Sequence, residues 1–177
     1  TYQQFTTQNL LFPLSSELEL QLSKSKRKVI NTKTNQTLYF LKASKIFNLN
    51  SKNSLYMRLQ AQGINSDTYL PNELIRFGGI NSIRGFEENS INATLLSVLA
   101  SEYRYQLSPR LYVHSIIDAS YFETPTLSNQ KLYGFGFGFG LLTDAGLLKF
   151  NLANGQAENQ NFRFSDSKIH LSLTATF

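Results

Sequence analysis

The chain has 177 residues, of which 41% are hydrophobic; it has no cysteine and a formal charge of +5. That length suits one domain. The lack of cysteine excludes disulfides, zinc–thiolate centres and cysteine nucleophiles, and no apolar run approaches the roughly 20 residues of a spanning helix. A membrane β-barrel stays open, because each of its strands needs only about 10 residues with alternate positions apolar. The mean hydropathy of −0.24 fits that pattern. Fourteen Phe and nine Tyr, with no Trp, make an aromatic fraction of 13% that favours aromatic girdles.

The first residues, Thr1 to Leu14, are weakly patterned and carry no signal peptide, so the N-terminus is expected to continue into a longer protein. Period-two alternation then begins: Leu18, Leu20 and Leu22 share one face, and Glu17, Glu19, Gln21 and Ser23 the other. A basic run, Lys24 to Lys28, lies beside the turn-like Asn31 to Gln36. It reads as a solvated hairpin end, with anionic lipid headgroups as the alternative partner and nucleic acid disfavoured for want of interleaved aromatics. Strands are expected at Leu38 to Phe47 and at Leu55 to Gln62, where Leu55, Met57, Leu59 and Ala61 oppose Tyr56, Arg58, Gln60 and Gln62.

Residues 63–94 lack a clean period and read as one long loop, ordered and functional rather than slack. Ile75, Phe77, Ile80, Ile83 and Phe86 keep it apolar, while Gly78, Gly79 and Gly85 allow tight turns. Arg84 stands between Ile83 and Phe86, so a tip that packs down takes its guanidinium out of water, where it needs a carboxylate.

Five strands follow. Leu95 to Leu107 sets Leu95, Leu99, Tyr103 and Tyr105 against Glu102, Arg104 and Gln106; Leu111 to Phe122 places Asp118 on its polar side with His114. In Leu132 to Leu142, Tyr133, Phe135, Phe137, Phe139 and Leu141 alternate with Gly134, Gly136, Gly138 and Gly140, a bare wall that invites close approach of another segment. Leu148, Phe150 and Leu152 mark a shorter strand, and Lys168 to Phe177 alternates to the final aromatic.

Chemistry-bearing readings are weak. Glycines at every second residue of a strand match neither a dinucleotide fingerprint nor a P-loop. His114 and His170 lie on different strands without further ligands, so no metal or other cofactor is expected. Glu87 and Glu88 are adjacent in a loop and read as a solvated shoulder, not a catalytic pair. The chain is therefore not expected to be an enzyme. Competing fold classes are a small, passive eight-stranded outer-membrane barrel and a soluble β-sandwich binding domain.

With these residues assembled, the chain resembles the C-terminal half of a barrel from the BamA/TamA superfamily of outer-membrane insertases and translocases. Gly79-Ile80-Asn81-Ser82-Ile83-Arg84-Gly85-Phe86 is similar to its signature, an (V/I)RG(F/Y) tetrad on a loop folded back into the lumen. Glu102 with Arg104 resembles the family's acidic-x-basic pattern. Ile116-Ile117-Asp118-Ala119-Ser120 resembles its F-x-D-x-G strand with the aromatic and glycine replaced, and Thr143 to Leu148 its TPxGPL turn without the prolines.

The resemblance implies an all-β, transmembrane antiparallel barrel, with about eight strands of a sixteen-stranded whole here, five after the loop, and periplasmic POTRA domains upstream. It implies a lumen wall of Glu102, Asp118 and the four glycines, and a C-terminal insertion signal and seam at Leu171, Leu173 and Phe177. Implied partners are outer-membrane lipids, unfolded β-barrel or secreted clients, and periplasmic or lipoprotein assembly factors.

Overall fold

The computed structural model describes residues 1–5, 11–12, 14–29, 32–158, 160 and 163–175. It is all-β: nine antiparallel strands run in the order β1-β2-β3-β4-β7-β8-β9-β10-β11. These are β1 (Tyr2–Phe5), β2 (Leu14–Val29), β3 (Thr32–Asn48), β4 (Asn53–Ser66), β7 (Leu95–Ser108), β8 (Leu111–Glu123), β9 (Gln130–Thr143), β10 (Gly146–Ala157) and β11 (Lys168–Thr174). A separate ribbon pairs β5 (Ile75–Phe77) with β6 (Ile91–Ala93). Among the described residues β1 and β11 do not pair, so the nine strands form an open wall and not a closed small barrel.

Three expectations change. The loop is 67–94 and not 63–94, because β4 continues to Ser66, its last three residues pairing with Leu38 to Gln36 of β3 despite the lost alternation. The supposed turn from Asn31 to Gln36 is largely strand: Thr32 to Gln36 pair with Val29 to Ser25, and their polar character reflects a stretch beyond the apolar belt. Tyr2–Phe5 adds a ninth strand that no pattern marked, since its register comes from β2. Phe177, the expected terminal aromatic, lies outside the described residues.

Period-two chemistry then sorts the faces. Leu20, Leu22, Met57, Leu59, Leu99, Ile117, Phe137 and Leu171 all point outward and are exposed, forming an apolar belt too continuous for water. Tyr39 and Tyr121 border it towards the long loops, and Tyr103 and Tyr105 at the other end, as girdles do.

The inner face is not uniformly polar. Near the long loop it carries Ile64, Leu96, Val98, Phe122 and Leu132, which pack with Ile75, Phe77 and Ile83 of the loop into one core. These inward apolar residues break the simple polar-inside rule because the loop, not water, covers them. At the opposite end Leu11 and Phe12 fold over Tyr112.

Replacing Phe137 by Lys puts a charge in the middle of the belt. It is expected to destabilise the full-length protein in vesicles by roughly 2–4 kcal/mol, read from denaturant unfolding. A Lys there that costs nothing would mean that this face does not meet lipid.

Candidate functional site

The loop enters over the β5–β6 ribbon and ends in a compact turn, where Gly79 N donates to Ile83 O at 3.0 Å and Ser82 N to Gly79 O at 3.2 Å. The Ser82 hydroxyl accepts from Gly78 N at 2.7 Å, and Glu88 accepts from Ile80 N at 3.1 Å, so one of the two acids of the expected solvated shoulder is part of the turn. Ile83 is fully buried and points into the core. Arg84 follows at the tip, 3% exposed.

Two strands meet that guanidinium with carboxylates. Arg84 Nε donates to Asp118 Oδ2 at 2.8 Å and Nη2 to Oδ1 at 2.5 Å, a bidentate fork on β8. The Arg84 backbone N–H adds a third bond to Asp118 at 3.0 Å, and Nη1 donates to Glu102 on β7. Glu102 is itself held by Arg104, through Nε at 2.7 Å and Nη2 at 2.6 Å. The chain Asp118–Arg84–Glu102–Arg104 alternates in sign and sums to zero. Burial opposes the charge on Arg84, but hydrogen bonds and attraction from Asp118 and Glu102 outweigh it and raise its pKa above the ordinary value. Arg104 continues to the far end of the lumen, its guanidinium 4.8 Å from the Phe12 ring, 4.3 Å from Tyr56 and 5.4 Å from Tyr112.

Register explains where the tip rests. Asp118 pairs with Gly134 on β9, and Gly134 with Gly155 on β10, so one row across three strands has an acid followed by two bare positions. The Arg84 carbonyl lies over Gly134, and the Gly85 backbone lies against Asn154 and Gly155, with the Phe86 ring beside Gly155. Gly85 has φ +91° and backbone at van der Waals limits, so no side chain fits there.

Of the expected bare wall, Gly136 and Gly138 are not covered by the loop. They lie deeper than the Asp118 row, and their nearest neighbours are β10 atoms and His114. Gly140 is covered by the Tyr112 ring.

The loop also reaches the last strand. Gly85 N donates to His170 Nε2 at 3.1 Å, and Lys168 pairs with Glu87 at 3.0 Å. His114 contacts Asn151 at 2.8 Å. Leu171 and Leu173 point outward from β11, 66% and 57% exposed.

Sequence reading missed three supports. Arg58 donates to the carbonyls of Asn81 and Ser82 at 2.8 and 2.7 Å; as the one cation on the polar face of β4 it was visible but unassigned. Gly155 lies on β10 three residues beyond Leu152, where the short apolar pattern stopped. Alternation put His170 on the polar, lumen side of the last strand, but its bond to Gly85 left no local signal, because that partner is 85 residues away.

This is the arrangement of a β-barrel wall with a long loop pinned against its inner face. The Omp85 superfamily domain matches residues 3–170, and the chain belongs to that superfamily. Its members are outer-membrane barrels that insert or translocate β-barrel or secreted proteins. No individual curated protein matches the chain.

Arg84→Ala strips the cation from buried Asp118, leaves Glu102 with Arg104 alone, and is expected to cost about 3 kcal/mol. Arg84→Lys should restore little, since an ammonium cannot make the fork. Gly134→Leu should displace the loop while the barrel stays in the membrane. Protease sensitivity of the loop in intact cells separates these from global unfolding, and a still-protected loop in both variants would remove Arg84 and Gly134 from its support.

Proposed function

We propose that the chain supplies the inner brace and one lip of a lateral seam through which client strands are assembled, without chemistry, nucleotide or cofactor. The observation that carries this reading is the contact between loop tip and last strand, Gly85 to His170 and Glu87 to Lys168. A strand held from the lumen side keeps its position even when its outer edge is unpaired.

β11 has seven residues against 12 to 17 in β2, β3, β4 and β7 to β10, and pairs only with β10 among the described residues. Its free N–H and C=O groups are costly in lipid, and they offer a template for an incoming strand by β-augmentation. Leu171 and Leu173 match the apolar side such a strand shows to lipid. The loop braces the inner wall beside this edge, with Arg84 as the pin. Periplasmic domains that receive clients complete the machine, and assembly factors dock there.

Cysteines at Ser172 or Thr174, each paired with one on the first barrel strand of the full-length protein, test the seam. Oxidation is expected to block client assembly and reduction to restore it. Full assembly with the bond locked would eliminate the seam, while the barrel itself would stand.

A further inference from the structure

We infer that the β2–β3 hairpin carries a binding face for the phosphorylated headgroups of the outer-leaflet lipid, built from Lys24, Lys26, Lys28 and Lys33. The placement follows from register. On β2 the outward stripe that begins with Leu18, Leu20 and Leu22 continues as Lys24, Lys26 and Lys28. On β3 the outward positions are Tyr39, Thr37, Asn35 and Lys33, paired in order with Leu22, Lys24, Lys26 and Lys28.

Tyr39, lying across Gly63, marks the edge of the apolar belt at the same level as Leu22. The lysines begin one step beyond it, and Lys28 lies roughly 20 Å along the strand from Leu22 at about 3.4 Å per residue. They therefore rise through the headgroup layer on the side that faces lipid, not the lumen.

The end of the barrel is fixed by loop length. Turns at Pro109–Arg110 and Asp144–Ala145 are short, as periplasmic turns are, whereas 67–94, 124–129 and 158–167 are longer, as extracellular loops are; β2 and β3 are joined by only two residues at this second end, but at 16 and 17 residues they are the longest strands and project there. The lysines stand at the long-loop end and so face the outer leaflet.

Charge points to an anionic ligand. Lys28 and Lys33 are direct cross-strand partners, a like-charge pair that costs stability unless a counter-charge bridges it. None of the four forms an ion pair among the described residues, whereas Lys131 has Glu158 and Lys168 has Glu87 at the same rim. All four are exposed. Arg27, turned inward between them, is tied to Glu73 and to Thr68 Oγ1, at 2.6 Å in the latter case, which holds the hairpin upright above the belt. Arg27, with the Leu70 N–H, also holds the Glu73 carboxyl below its ordinary range, so this brace persists at neutral pH.

The inference rests on outer-membrane residence and not on the seam, so the two fail separately. The full-length protein is reconstituted in phosphatidylcholine vesicles containing lipid A with its two phosphates, or the same lipid dephosphorylated, and lipid retained after detergent extraction is counted by native mass spectrometry. Wild type is expected to retain phosphorylated lipid A preferentially. Lys→Gln substitution at the four positions should weaken retention by roughly fivefold per lysine, Lys→Arg should preserve it, and millimolar inorganic phosphate should not replace it. Heat-modifiable gel mobility verifies that each variant is folded. Equal retention of the two lipids by wild type, undiminished retention by the Gln variant, or displacement by inorganic phosphate would overturn the inference, as would an acidic protein co-purifying in place of lipid.

Discussion

Burying a guanidinium inside a barrel is the constraint on which this site depends. Arg84 leaves water only because Asp118 supplies a fork, Glu102 takes the remaining arm and Arg104 keeps Glu102 neutralised. Desolvation of Arg84 or Asp118 alone would cost several kcal/mol, so the loop's cation and the wall's acid are buried together, beside a Glu102–Arg104 pair that β7 already supplies. The strands contribute fixed acids at a fixed depth and the loop contributes the cation, which makes docking of the loop a condition for a fully satisfied wall.

The apolar half of the loop works in the same direction. Ile75, Phe77 and Ile83 bury against Leu96, Val98 and Phe122, giving docking a hydrophobic driving force that the ion chain steers but does not supply. The ions fix depth and rotation, because a fork accepts one orientation. The glycine row at Gly134 and Gly155 then sets how closely the backbone can lie. Beyond the membrane, Arg27 and Glu73 tie the base of the loop to the tall β2–β3 hairpin, so the loop is held at both ends.

Most of the wall was legible in the sequence because strand alternation is local. Leu95 to Leu107, Leu111 to Phe122 and Leu132 to Leu142 each fall within a residue or two of the observed strands. The Arg84 pairing was legible because period two put Glu102 and Asp118 on inward faces of neighbouring strands. What escaped depended on register between distant segments. Gly136 and Gly138 differ from Gly134 only in depth, and depth is fixed by the Asp118–Gly134–Gly155 row, which no single strand encodes. Tyr2–Phe5 has no alternation of its own, and the polar start of β3 looked like a turn because exposed strand and turn share composition beyond the belt.

The last strand is where these demands meet. Its outward side, Ile169, Leu171 and Leu173, suits lipid; its inward side offers His170 to the loop; its far edge is unpaired among the described residues. A full-length partner on that edge would satisfy the backbone and close the wall, whereas a bare edge would fray into lipid unless something else held it. The Gly85–His170 and Glu87–Lys168 contacts act on the strand without using its edge hydrogen bonds. In the proposed seam they would hold β11 aligned while its edge groups stay open. The brace reaches β11 from the lumen through the side chains of His170 and Lys168, so it uses neither the outward apolar face nor the backbone groups of the open edge.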